Sequence, residues 1–154
     1  RRLFLKRQSA WYGVAPHPNP PRRRGERTTG SRVDAPLHAS SLKATIVHVE
    51  VFRYVTESGR EPVTEWLQSL QDKRAQAKIR VRLKRLEAGM FGDCEPVGDG
   101  VLELREHLGA GYRVYFGRHG KAVVILLCGG SKKTQPPDIK TARQYWADWK
   151  RRQI

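Results

Sequence analysis

Arg105 and Arg113 are the residues with the most chemistry to offer. They fall in two alternating segments, 101–107 and 112–118, separated by the turn-forming Gly109-Ala110-Gly111. In the first, Leu102 and Leu104 share one face while Val101, Glu103 and Arg105 share the other. In the second, Tyr112, Val114 and Phe116 oppose Arg113 and Tyr115. If Leu104 and Val114 meet a hydrophobic layer, both arginines emerge on the opposite face of a sheet. A guanidinium offers planar, two-pronged donation to phosphate oxygens that an ammonium cannot copy. Glu103 lies on the same predicted face and has two readings: a carboxylate base, or an ion-pair partner for Arg105 or Arg113. Lys132 and Lys133 follow the Gly129-Gly130 break, and Glu95 is a second carboxylate, on a loop. His107 and His119 stand at turn edges, where a lone histidine is ordinarily solvated. Cys94 and Cys128, without a CxxC pair or a Cys/His cluster, offer neither a metal-ligand set nor a disulfide framework. No metal and no cofactor is expected. This use of cysteine fits a reducing, cytoplasmic compartment.

These residues need elements to hold them. Val49, Val51, Phe52 and Tyr54 read as a first strand, ending at Ser58-Gly59. Pro62 suits the first position of a helix whose apolar face is Val63, Trp66, Leu67 and Leu70. Asp72 is an N-cap for a second helix running to about Ala88, with Ala75, Ile79, Leu83 and Leu86 inward and Gly89 as its stop. The two alternating strands and an apolar run, 121–128, then form a meander in which Cys128 is a buried thiol. Pro136-Pro137-Asp138 opens a last helix from Ile139 to about Arg151, with Trp146 and Trp149 packing it. The expected architecture is α+β: a small, mostly antiparallel four-stranded sheet, two N-terminal helices on one face, a C-terminal helix, and an open opposite face. No run approaches the ~20 apolar residues of a membrane span.

The net charge of +15 calls for a polyanionic partner, nucleic acid or an anionic membrane face. It is unevenly spread. Residues 1–45 hold ten Lys/Arg against two Asp/Glu, and residues 46–154 hold twenty against thirteen. The first segment, with Pro16, Pro18, Pro20 and Pro21 ahead of Arg22, Arg23 and Arg24, shows no helix or strand period and reads as a disordered basic leader. It is either a nucleic-acid-gripping arm or the translation of an over-extended frame, since the chain opens on Arg1 and its sole methionine is Met90. A single domain is expected over 46–154.

Three segments of that domain resemble the core of the RelE/ParE toxin superfamily: Val101-Leu102-Glu103-Leu104-Arg105, Gly109-Ala110-Gly111-Tyr112-Arg113-Val114-Tyr115-Phe116, and Leu126-Leu127-Cys128-Gly129-Gly130-Ser131-Lys132-Lys133. The closer similarity is to the HigB-like branch, the phage-derived "addiction module killer" proteins. Asp138-Ile139-Lys140 with Ala142, Tyr145 and Trp146 resembles that branch's last helix, and 62–70 its first; the resemblance spans 47–152. It implies a RelE-like fold and a toxin that cuts mRNA on the ribosome without a metal. The RNA 2′-hydroxyl attacks the adjacent phosphate, leaving a cyclic phosphate and a 5′-hydroxyl. It further implies neutralisation by a helix-turn-helix antitoxin, with operator DNA bound only through the pair.

By that resemblance Arg113 stabilises the phosphoryl oxygens and Arg105 is a second clamp. Lys132 binds phosphate or protonates the leaving oxygen, with Lys133 as its substitute if the register shifts by one. Tyr115 and Tyr145 stack on bases. RelE carries lysines where this chain has Val101 and Glu103, a departure that removes the lysine base; Glu103 would serve instead, as a glutamate does in another branch. Arg74, Lys78, Arg82 and Lys84 form a solvated face or touch ribosomal RNA phosphates. The alternatives are a ParE-like inhibitor of DNA gyrase, which needs no base, and a decayed toxin that only binds nucleic acid.

Overall fold

The computed structural model of the protein describes residues 5–7 and 48–153. Strands are Leu5–Arg7 (β1), Glu50–Tyr54 (β2), Cys94–Gly98 (β3), Val101–Glu106 (β4), Tyr112–His119 (β5) and Val123–Ser131 (β6). Helices are Pro62–Ser69 (α1), Lys73–Glu87 (α2) and Gln135–Arg152 (α3), with a short 3-10 turn, Lys132–Thr134, before α3. The sheet order is β1-β2-β6-β5-β4-β3. β2 runs parallel to β6 and the other pairs are antiparallel.

The α+β class is as expected, but the sheet is larger and mixed. The five strands β2 to β6 form its body, and β1 adds three residues at one edge. The predicted leader otherwise lies outside the described residues. The strand missing from the expected four is β3, whose Cys-Glu-Pro-Val-Gly sequence has almost no alternation. Pro96 is tolerated there because β3 is an edge, where a missing backbone donor breaks no inner ladder. Asp99-Gly100, with φ of 54° and 82°, joins β3 to β4 as a two-residue turn of the mirror-image type that hairpins favour.

α1 and α2 form for the reasons their patterns suggest. Pro62 is at the start of α1, and Val63 and Leu67 are buried. The Asp72 carboxylate accepts the backbone N–H groups of Arg74 and Ala75, both at 3.0 Å, capping α2. Ala75, Ile79, Leu83 and Leu86 of α2 are fully buried. Ile79, Leu83 and Leu86 meet Val51, Leu104, Val114, Phe116, Val124 and Leu126 in one hydrophobic core. Full burial of each such side chain favours folding by roughly 1.5–3 kcal/mol.

The other face is not open. α3 covers it, starting at Gln135, four residues earlier than the Ile139 that the sequence pattern suggests. Ala142, Trp146 and Trp149 pack on Val101, Tyr115, Ile125, Leu127 and Cys128 in a second core. The cause is in β5 and β6: apolar residues point to both sides of these central strands, so both sides need a cover. A register shift next to Tyr115 gives β6 an extra residue, Leu127, and both Leu127 and Cys128 end in the second core. Glycine lets the rings seat: a Cβ at Gly117 would overlap Trp146, and one at Gly129 would overlap Trp66. At its far end α3 is clamped to β2, where the Tyr54 hydroxyl donates to Asp148 and the Arg152 guanidinium donates to the Val55 carbonyl. Among the described residues no helix is long and apolar enough to cross a membrane.

Candidate functional site

β4 and β5 are antiparallel with Arg105 directly opposite Arg113 and Glu103 opposite Tyr115. The period of two sends all four side chains to the α3 side of the sheet, so the two arginines share a face as expected. What lies between them is Glu103. Its carboxylate is fully buried. Oε1 accepts from Arg105 Nε at 3.0 Å and lies 3.4 Å from Arg113 Nε, within ion-pair range though without hydrogen-bond alignment. Oε2 accepts from Gln135 Nε2 at 2.7 Å, at the first turn of α3. Of the two readings of Glu103, the geometry matches the ion pair. Both carboxylate oxygens are engaged, Oε1 by the guanidiniums and Oε2 by the Gln135 amide.

The arginines differ in access. The Arg113 side chain is 8% exposed, and its Nη1 donates to the Tyr112 carbonyl at 3.3 Å. The Arg105 side chain is 25% exposed and reaches outward, where its Nη2 donates to Glu95 Oε2 at 2.7 Å. The hydrogen bonds that Arg105 donates, to Glu103 first and Glu95 second, raise its pKa above the ordinary value. The cluster is charge-balanced, two guanidiniums against two carboxylates. Uncompensated positive charge enters from Lys132 and Lys133, both exposed in the turn before α3. The Lys132 backbone N–H bonds the Gly111 carbonyl at 2.7 Å, which ties that turn to the start of β5. A Cβ at Gly111 would sit 3.5 Å from Lys132 Cβ and 3.9 Å from Arg113 Nη1, so these two basic residues flank one glycine.

The two tyrosines part company. Tyr115 is fully buried in the second core, so its ring has no open face for a base. Its hydroxyl lies buried beside Glu103 without a well-formed hydrogen bond, and burial together with that negative charge pushes its pKa far up. Tyr145 is half-buried, stacks on Tyr54 with ring centroids 4.8 Å apart, and lines a cleft of about 370 Å³ with Trp66, Gly129 and Asp138. Tyr145 thus sits away from Glu103, in the cleft between α1 and α3.

Two features escaped the sequence reading. Gln135 lies ahead of the helix expected from Ile139, yet it forms the first turn of α3 and reaches Glu103. His107 is not a lone turn histidine: its Nε2 lies 2.6 Å from Asp93 Oδ2. That hydrogen bond is the main cause of the depressed Asp93 pKa. His107 follows Arg105 by two residues, at the open end of β4. The pairing joins a β3-side loop to a β4-side loop, so the overlooked Asp99-Gly100 hairpin was the signal that would have found it.

Residues 65–151 match the family described as phage derived protein Gp49-like. A protein of Haemophilus influenzae, itself called uncharacterized, is 54% identical over 78 residues, covering 51% of this chain and 79% of that protein.

Proposed function

The chain belongs to the Gp49-like family of phage derived proteins, and from that premise we propose that it is the toxin of a toxin–antitoxin pair, cleaving mRNA on the ribosome and neutralised by an antitoxin. The observation that carries this reading is the fixing of Arg105 and Arg113 on one face by Glu103, beside exposed Lys132 and Lys133. Lys132 and Lys133 attract the scissile phosphate and Arg105 donates to its oxygens as charge builds. Arg113, nearly enclosed, pairs with Glu103 beside Gly111, whose carbonyl ties down the turn that carries Lys132. Glu103 is a positioning residue: it sets both guanidiniums and anchors Gln135. The 2′-hydroxyl proton passes to His107, oriented by Asp93, and Lys132 protonates the departing 5′ oxygen. The products are a 2′,3′-cyclic phosphate and a 5′-hydroxyl, and no metal enters the scheme.

Induced expression with primer extension on a reporter mRNA tests this. Cleavage within codons is expected, and its loss in Lys132→Ala and His107→Ala chains that remain folded. Growth arrest with intact message would overturn it. A second reading, inhibition of DNA gyrase without cleavage, is favoured by one observation: Arg113 is buried and neutralised. Arrest that survives Lys132→Ala, together with blocked supercoiling by purified gyrase, would establish that reading instead.

A further inference from the structure

Among the described residues the exposed large hydrophobics are Val81, 52% exposed, and Met90, 56% exposed. They are not scattered. Both line one cleft of about 440 Å³ at the C-terminal end of α2, with Ala88, Glu87, His48, Lys84 and Arg85 around them. Two exposed apolar side chains brought together in one shallow hollow on a strongly charged surface offer a small anchor for a partner.

The charge around the cleft says what kind of partner fits. α2 carries Lys73, Arg74, Lys78, Arg80, Arg82, Lys84 and Arg85 against the single acid Glu87. Arg74, Lys78, Val81 and Arg85 are all exposed and recur at helical spacing, so a basic stripe about 16 Å long runs into the apolar cleft. Three occupants are disfavoured by their own chemistry. The chain's own residues 1–45, ten basic against two acidic, would bring like charge to the stripe. A second copy would bring a net +15 to a net +15. Nucleic acid would satisfy the cations and leave Val81 and Met90 in water.

We infer that this surface receives an acidic, amphipathic segment of a separate protein, its apolar side chains seated on Val81 and Met90 and its carboxylates along Arg74, Lys78 and Arg85. Helix-in-groove docking of this kind draws affinity from the apolar anchors, and rate and specificity from the charges. The surface lies on the helix-pair side of the sheet, opposite Glu103 and Arg113. A segment bound here leaves that cluster uncovered. The inference therefore stands apart from the RNA-cleavage proposal, which fails or survives by the primer-extension result.

The test uses the full chain and labelled helical peptides of about 18 residues, long enough to cover the stripe. One carries leucine on one face and glutamate elsewhere. A second replaces leucine with serine, a third replaces glutamate with lysine, and a single-stranded RNA oligomer is run beside them. The leucine–glutamate peptide is expected to bind in anisotropy titrations, with affinity falling about tenfold or more in Val81→Asp, Met90→Asp and Lys78→Glu/Arg85→Glu chains, the scale of lost anchors. The serine and lysine peptides are expected to bind at least about tenfold more weakly. These positions are exposed, so thermal melts of the variants should match the parent. Equal binding by the Val81→Asp and Met90→Asp chains would overturn the inference. So would equal binding of the serine peptide, RNA binding that Val81→Asp weakens, or a dimer in sedimentation that Val81→Asp dissolves.

Discussion

Under α1 and α2 the sheet is sealed by uncharged apolar side chains: Val51, Leu104, Val114, Val124, Leu126 and the Phe116 ring against Leu67, Ile79, Leu83 and Leu86. Under α3 it is sealed by rings, with Trp146 and Trp149 stacked 4.9 Å apart, and a charged carboxylate is enclosed near the start of the helix. The first arrangement is indifferent to which apolar residue fills each place, within limits of volume. The second is not, because a buried charge is tolerable only while its partners remain. On the helix-pair side packing serves stability alone, and on the other side stability and the candidate site share the same residues.

Breaking the Glu103 cluster should have the largest effect. Glu103→Ala leaves Arg113 buried without its counter-charge, and a loss of about 3–5 kcal/mol in urea unfolding is expected, with message cleavage abolished. A change within error of the parent would mean that the two guanidiniums are not held by Glu103. The matching cut on the other face is Leu83→Ala, fully buried in α2. It should cost roughly 2–5 kcal/mol yet leave cleavage per folded molecule unchanged. If activity falls in step with stability there too, the division between the faces is wrong.

The two thiols sharpen the same contrast without mutation. Cys94 belongs to the helix-pair side and Cys128 to the α3 side. Burial first of all pushes the Cys94 thiol up to about 11 and the Cys128 thiol up to about 12. Since only the thiolate reacts, alkylation at pH 8 should be slower in the native protein than in urea by about a hundredfold for Cys94 and a thousandfold for Cys128. Mass spectrometry of a time course would read both sites, and a faster Cys128 would show that the α3 side opens more readily. The smallest effect is expected at the cap of α2: Asp72→Ala removes the acceptor for Arg74 and Ala75 N–H and should lower stability by about 1 kcal/mol, visible as a lower melting temperature with activity intact.

Much of the helix-pair side was legible. Val63, Leu67, Ile79, Leu83 and Leu86 recur at helical spacing, and Pro62 and Asp72 mark where their helices start. The common face of Glu103, Arg105 and Arg113 was legible too, from strand alternation. β3 was not, because Pro96 and Gly98 erase its pattern, and only its turn residues betray it. Nor was the cover over the second face: Pro136 and Pro137 mark the opening of a last helix, and both sit inside its first turn, where no backbone donor is needed, but nothing in their local pattern says which side of the sheet that helix covers.

Local periodicity and turn chemistry are properties of neighbouring residues, so the sequence by itself determined which elements form and which way their side chains alternate. How closely Glu103 is enclosed, whether Tyr115 packs into a core with tryptophans, and whether the face of Arg113 is covered depend on groups far away in the chain. Those outcomes were decided only when α3 folded back over β5 and β6, because burial and ion pairing are set by what arrives from a distance.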